Sequence, residues 1–270
     1  MAFPGASTDR EDAAYAVVGA PLDVSTTFQP GARFGPGRVR RFSRSFEDYD
    51  PETDSHFSAR GVYDHGDVGA VGAIDDAAEY LTFLEAELRE FHADGTTPLV
   101  IGGEHTVSIA GVRAVEPDVF VCLDAHLDLR EEYAGNPYSH ATVTRHALAV
   151  ADRAVILGAR AGSEGEYDRA SEGDVTVVAP GDVAAWTPEF DDESVYLSVD
   201  VDVADPGFAP GTGTMEPFGL LPRELRRVVR TVAPYAAGFD VVEVNDRDDG
   251  QAAALGGKLL RAFVFAHAVD

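Results

Sequence analysis

The chain has 270 residues, and 45% of them are apolar, an ordinary fraction for a packed globular protein. Its 47 acidic residues outnumber 21 basic ones, and the resulting net charge of −26 excludes nucleic acid as a natural partner. No apolar run approaches the ~20 residues of a membrane span, and Met1-Ala2-Phe3-Pro4 opens no signal-like segment, so a cytoplasmic protein without membrane contact is expected.

Lys258 is the only lysine, so arginine supplies almost all of the positive charge. The acids are scattered, as in Glu85, Glu87, Glu90, Asp191, Asp192 and Glu193. Such a surface reads as adaptation to a salt-rich cytoplasm, with electrostatic capture of a cationic substrate as the rival reading. The single cysteine, Cys122, excludes an intramolecular disulfide and fits either a reducing interior or a small buried hydrophobe.

In chain order, apolar β-rich runs fall at 15–19, 98–102, 119–124, 154–158, 175–179, 195–203 and 238–244. Several are continuous rather than alternating, as parallel strands covered on both faces are. Helical patterns lie between them at 74–92, 105–115, 140–151, 222–232 and 252–266, the first with Leu81, Leu84 and Leu88 opposite acidic positions. Pro222 suits a first helical turn, and Gly95 a helix end. Alternating strand and helix with no long linker predicts one α/β domain over 1–270: a three-layer α/β/α sandwich on a mostly parallel central sheet. The turn-rich stretch 28–46 reads as a structured loop entering a short helix, with subunit or structural packing its first expected role, and substrate lid or plain surface loop left open.

Three segments carry chemistry. Cys122-Leu123-Asp124-Ala125-His126-Leu127-Asp128 places metal-capable side chains at every second position, which an extended backbone would turn to one face. Ser198-Val199-Asp200-Val201-Asp202 repeats the device, and Gly102-Gly103-Glu104-His105 offers a histidine where a strand ends. A strand end with solvated acids, or a plain strand-to-helix turn, explains any one of them alone. All three sit at strand carboxyl ends, where α/β sheets bind ligands. The six candidates His105, Asp124, His126, Asp128, Asp200 and Asp202 are too many for one tetrahedral zinc and are rich in oxygen, which suits manganese and leaves nickel, cobalt and iron open. Four clustered carboxylates need cations, so two divalent ions ~3.5–4 Å apart, sharing bridging carboxylates, are expected, an arrangement that makes a nucleophile of water near neutral pH.

These segments, together with Gly19-Ala20-Pro21-Leu22-Asp23, Pro30-Gly31-Ala32-Arg33-Phe34-Gly35-Pro36, Asp64-His65-Gly66-Asp67, Pro210-Gly211-Thr212-Gly213-Thr214 and Asp240-Val241-Val242-Glu243-Val244-Asn245, resemble the ureohydrolase family of binuclear-metal enzymes that includes arginase and agmatinase. The resemblance spans nearly the whole chain and implies an arginase-like fold. It implies two Mn2+ per chain, one held by His105, Asp124, Asp128 and Asp200, the other by Asp124, His126, Asp200 and Asp202. It implies hydrolysis of a guanidinium to urea and an amine by a metal-bridging hydroxide. Glu243 matches the family's guanidinium-binding glutamate, His140 its proton shuttle, and Asp128 a ligand that also bonds the intermediate. The resemblance further implies a homo-oligomer, a trimer or hexamer.

Departures from the family pattern fall at Ala141, at Met215-Glu216-Pro217-Phe218-Gly219 and at Asp246, none of them a proposed ligand. Leu157-Gly158-Ala159-Arg160 lacks the aspartate by which arginases grip the substrate's α-amino group. The loop from Glu131 to His140 is closer to agmatinases. The resemblance thus implies substrate contacts at Glu243, His140, Glu216 and Asn136, and the acids Glu131, Glu132 and Glu216 favour a distal amine. Agmatine hydrolysis to putrescine and urea, a step of polyamine metabolism, is the expected reaction. Aminopropylagmatine, guanidinobutyrate and arginine are alternatives, and a single-zinc deacetylase or an inactive metal-binding regulatory subunit are the competing classes.

Overall fold

The computed structural model describes residues 1–69 and 76–267. Ile74 and Asp75, the start of the helix expected at 74–92, lie outside them. Ten strands are seen: β1 Tyr15–Ala20, β2 Tyr49–Asp50, β3 Ser55–His56, β4 Val62–Asp67, β5 Thr97–Gly102, β6 Val119–Leu123, β7 Arg153–Leu157, β8 Val175–Val178, β9 Val195–Asp200 and β10 Ala236–Val242. The helices are α1 Gly35–Phe42, α2 Ala77–Ala93, α3 Ser108–Val115, α4 Val143–Ala147, α5 Glu164–Ala170, α6 Pro222–Val232 and α7 Gln251–His267. Eight strands form one sheet in the order β4-β1-β5-β10-β9-β6-β7-β8, and every pairing in it is parallel. The small β2–β3 pair is antiparallel and separate.

The two faces of the sheet follow from side-chain alternation. Val17, Leu99, Val121 and Leu197 point to the layer containing Val39 of α1, Leu225 and Val229 of α6 and Phe263 of α7. Ala16, Val18, Val100, Phe120 and Tyr196 point to the layer of α2, α3 and α4, where Leu81, Leu84, Val112 and Val143 are buried. Burial on both faces is why these strands read as continuous apolar runs. The expected α/β/α sandwich is the observed architecture.

Two local readings change. The run at 195–203 stops being a strand at Asp200 and closes into a 3-10 turn, Val201–Val203, capped by the Asp200 side chain accepting from the Asp202 N–H at 2.8 Å. The stretch after β6 is likewise not extended: Asp128 has φ 51°, in the left-handed region. Beyond Leu123 the regular ladder gives way to single contacts with the β7 exit, Asp124 N–H to the Leu157 carbonyl and the Arg160 and Ala161 N–H groups to the Ala125 carbonyl, and the backbone bends. β4 and α5 were not anticipated as elements. β4 holds the Asp64-His65-Gly66-Asp67 motif, whose polar residues hid a strand at the sheet edge.

Candidate metal centre and active site

The four central strands β5, β10, β9 and β6 are consecutive in the sheet, and each delivers a candidate at its carboxyl end. β5 runs into His105, β10 into Glu243, β9 into Asp200 and Asp202, and β6 into Asp124, His126 and Asp128. The turn after β5 needs Gly103, because a Cβ there would lie 1.9 Å from the Leu22 carbonyl oxygen. This close approach locks the Gly102–His105 turn against the Gly19–Asp23 segment, whose Asp23 in turn accepts from the Gly31 N–H at 2.9 Å and pairs with Arg33.

All six metal candidates converge. His105 Nδ1 lies 3.0 Å from Asp124 Oδ2, 2.9 Å from Asp128 Oδ2 and 3.6 Å from Asp200 Oδ2. His126 Nδ1 lies 3.0 Å from Asp202 Oδ2 and 3.5 Å from Asp124 Oδ1. Asp124 is common to both groups. The chemistry of the donor set fits metal. His105 is buried, and its Nδ1 has no hydrogen-bond partner. Its other nitrogen, Nε2, is 3.1 Å from Ser198 Oγ, which itself donates to the buried Asp240 at 2.6 Å. Such an outer partner fixes the ring so that the bare nitrogen faces the carboxylates, as metal-ligating histidines require. Cys122 also approaches this cluster, its Sγ 3.7 Å from His105 Nε2 and 3.8 Å from Asp124 Oδ2. Burial pushes its thiol pKa well up, so it is a buried hydrophobe here.

Protonation equilibria register the same crowding. Burial, followed by the charge of Asp124, pushes Asp128 up to about 7, and burial with Asp202 and Asp124 raises Asp200. Burial opposes ionisation of Asp124 as well, yet the close approach of His105 and His126 holds it below the usual carboxylate range. Burial would lower His126, but Asp202 and Asp124 raise it.

Above the cluster lies a cavity of about 300 Å³, walled by Thr26, Thr27, Arg130, Tyr133, Ser163 and Glu166, with His105, His126, Asp128, His140, Asp200, Asp202 and Glu243 also on its surface. Glu243 has φ 62°, and its Oε1 accepts from the His105 N–H at 2.9 Å. Burial pushes its carboxyl up to about 8. Gly213 flanks it, where a Cβ would stand 3.1 Å from Glu243 Oε2. His140 is pushed down to about 4 by burial, ahead of the neighbouring His105 and His126, so it is neutral near pH 7.

Two expected substrate contacts stand elsewhere. Asn136 is not on the cavity wall, since its side-chain oxygen accepts from the Tyr138 N–H at 2.9 Å and closes its own turn. Glu216 sits at the rim, its Oε1 3.8 Å from His126 Nε2. Glu131 is committed to Arg145 at 2.9 Å. Sequence reasoning missed Ser25, Thr26 and Thr27, and it treated Glu104 only as a flank of His105. The available signal was a hydroxyl run directly after the Gly19–Asp23 motif.

The chain belongs to the arginase family, whose model matches residues 13–266. It is 34% identical over 265 residues to the agmatinase of Pyrococcus horikoshii, covering 94% of this chain and 92% of the relative. It is 35% identical over 254 residues to the N(1)-aminopropylagmatine ureohydrolase of Thermococcus kodakarensis, covering 92% and 88%. The crystal structure of agmatine ureohydrolase of Thermoplasma volcanium superposes with a TM-score of 0.92 at 31% identity, covering 98% of this chain and 94% of that one.

Proposed function

We propose that the chain, acting as one ureohydrolase domain over 1–270, hydrolyses agmatine to putrescine and urea. The observation that carries this reading is the convergence of two histidines and four aspartates beneath a cavity that also holds Glu243 and His140. His105, Asp124, Asp128 and Asp200 would hold one divalent ion, and Asp124, His126, Asp200 and Asp202 the second, with manganese favoured by the oxygen-rich donor set. When bound, the ions offset the four carboxylates and make water a nucleophile at neutral pH.

The protein's own residues do the rest. The planar guanidinium presents two parallel N–H groups, and the Glu243 carboxylate is the group to receive them. Its grip on the His105 main chain fixes where the guanidinium carbon stops. Neutral His140 has a lone pair with which to carry a proton to the departing amine. Glu216 at the rim supplies negative charge toward a distal ammonium. No helix among the described residues is long and apolar enough to cross a membrane. We place the enzyme in a salt-rich cytoplasm, as a homotrimer or homohexamer, on the strength of its charge and family.

Purified, manganese-loaded protein in high salt should release urea fastest from agmatine when compared with aminopropylagmatine, guanidinobutyrate and arginine. Urea from none of the four ends the reading, and a faster rate on aminopropylagmatine transfers it to the substrate for which the Thermococcus relative is named. Metal analysis should return two ions per chain. Light scattering should give a multiple of the 28.7 kDa chain mass. Folding should weaken as salt is removed, and full stability at low ionic strength would remove the salt-adaptation reading.

A further inference from the structure

Next to His105, behind the cavity wall formed by Thr26 and His140, lies a carboxylate that the reaction does not use. Glu104 is fully buried and makes no ion pair among the described residues, yet four donors surround it. Its Oε2 accepts from the Ser25 N–H at 2.8 Å and from Thr26 Oγ1 at 3.4 Å. Its Oε1 accepts from Ser25 Oγ at 2.8 Å and from Thr106 Oγ1 at 2.7 Å. Ser25 is therefore clamped at both its amide and its hydroxyl by one side chain.

The same hydroxyl touches His140 twice. Its oxygen accepts from the His140 N–H at 3.1 Å and lies 3.3 Å from His140 Nδ1. A serine hydroxyl has one proton and two lone pairs. The proton goes to Glu104, whose oxygen is the nearer acceptor at 2.8 Å against 3.3 Å for Nδ1. One lone pair takes the His140 main-chain N–H, and the other can only face an Nδ1 that carries hydrogen. The Ser25–Thr106 contact of 3.3 Å offers no second route, because the Thr106 proton is committed to Glu104 as well. Ser139 Oγ is the farther hydroxyl at Nδ1, at 3.4 Å against 3.3 Å for Ser25; it receives the Ala141 N–H through a lone pair and keeps its own proton, so it is the competing partner of this nitrogen. On the other side of the ring, Thr27 Oγ1 stands 3.4 Å from Nε2 and is itself an exposed part of the cavity wall.

We propose that Ser25, held by Glu104, is a positioning residue for His140: it fixes the imidazole as the tautomer with hydrogen on Nδ1, leaving Nε2 bare toward the substrate. This rests on the reading of His140 as the proton carrier and adds which nitrogen carries. As water forms the C–O bond to the guanidinium carbon, one of its O–H bonds breaks and that proton moves to Nε2. The imidazolium then gives the same proton to the amine nitrogen as the C–N bond breaks, and the second water proton, left on the oxygen of protonated urea, passes to the released amine, so that urea and an ammonium depart and the imidazole is again neutral. The Nδ1 proton stays on the ring, donated to Ser25 Oγ throughout, so the ring keeps its place in both charge states. A hydroxyl that donated to Nδ1 instead would put hydrogen on Nε2 and leave no base in the cavity.

The test is Ser25→Ala in the metal-loaded enzyme, read as kcat and KM for urea release, metal per chain and Tm. The expected result is a kcat at least about tenfold lower, with KM and metal content unchanged. Ser25→Thr, which restores the hydroxyl, should recover most of the loss. A Ser25→Ala enzyme with wild-type kcat overturns the proposal, as does a loss of kcat that tracks lost metal or is not repaired by Ser25→Thr. Should Ser25→Ala fail to fold, Ser25→Cys, whose sulfur is a weak acceptor, carries the same expectation. His140→Ala run alongside separates the two layers. If it turns over like wild type, the carrier reading itself fails, whereas an inactive His140→Ala beside an unimpaired Ser25→Ala removes only the role of Ser25.

Discussion

The Arg160 guanidinium donates from Nη2 to the main-chain carbonyl of Asp202 at 2.9 Å, and from the same nitrogen to the carbonyl of Glu216 at 2.6 Å. It also reaches the carbonyls of Pro217, Gly158 and Val203 at 3.0, 3.0 and 3.2 Å. One side chain thereby ties the β7 exit, the turn carrying Asp202 and the rim carrying Glu216. Five carbonyls suit the planar fork of arginine and no other side chain. Arg160→Lys should lower stability by about 3 kcal/mol, because a point cation satisfies only part of this set. It should also weaken retention of one metal, the one assigned to His126 and Asp202, more than the other. A melting curve with metal analysis after dilution checks both, and uniform loss of both ions would argue that the effect is global.

Asp200 is surrounded by repulsion in the absence of metal, since burial and the charges of Asp202 and Asp124 raise its pKa. Asp200→Asn keeps the oxygen that caps the Asp202 N–H while removing a charge. The substitution should therefore raise the Tm of chelated protein and at the same time abolish urea release and lower the metal content below one ion per chain. If both ions bind normally to Asp200→Asn, the aspartate is not shared between them.

Much of this site was legible before any coordinates. Parallel strands buried on both faces announce themselves as apolar runs, and polar residues abruptly ending such runs have to lie at a sheet edge. His105, Asp124, Asp200 and Glu243 were legible for that reason. What pattern could not yield is the geometry after the strands end. Asp124, His126 and Asp128 meet through a bend with a left-handed Asp128, not through strand alternation. Likewise, nothing local marks Ser25 as a partner of Glu104 and His140, because its contacts span 79 and 115 residues. Asn136 misled because a loop asparagine reads equally well as a substrate contact and as the closer of its own turn.

The stretch 28–46 resolves toward structural packing. Its Arg40 is buried, and Nε and Nη2 each lie 2.8 Å from an oxygen of Asp64 on β4, while Nη1 meets Asp67 at 2.5 Å. Arg40 raises no catalytic expectation; it pins α1 to the edge strand. Arg40→Ala leaves a buried Asp64 without its partner and should cost about 3–5 kcal/mol. Arg40→Lys should recover part of that, having the charge without the fork. Metal stoichiometry and kcat per folded chain should be unchanged in both. A drop in kcat at full folding would instead assign the segment a role at the cavity.

Chelation exposes the electrostatic debt of the centre, and its pH dependence has a definite sign. Without metal, Asp128 and Glu243 titrate near about 7 and about 8, chiefly because they are buried, against ~4 for an unfolded carboxylate. His105 and His126 are also raised, against the pull of burial, by Asp124 with Asp128 and with Asp202 respectively. Between pH 5 and 8, each of these groups binds more protons folded than unfolded, so stability falls as pH rises. Asp124 is shifted the other way, but its window lies below pH 4; His140, His146 and His267, lowered by burial, offset part of the fall in the acid half of this range and leave its sign set by the raised groups. The metal-loaded protein should behave oppositely, because ions compete with those protons and bind better as pH rises. The Tm difference between loaded and chelated protein should therefore widen by more than about 5 °C from pH 5 to pH 8. Calorimetry at three pH values with and without chelator reads it directly, and a difference that stays constant or narrows would mean that the acids are not neutralised by metal.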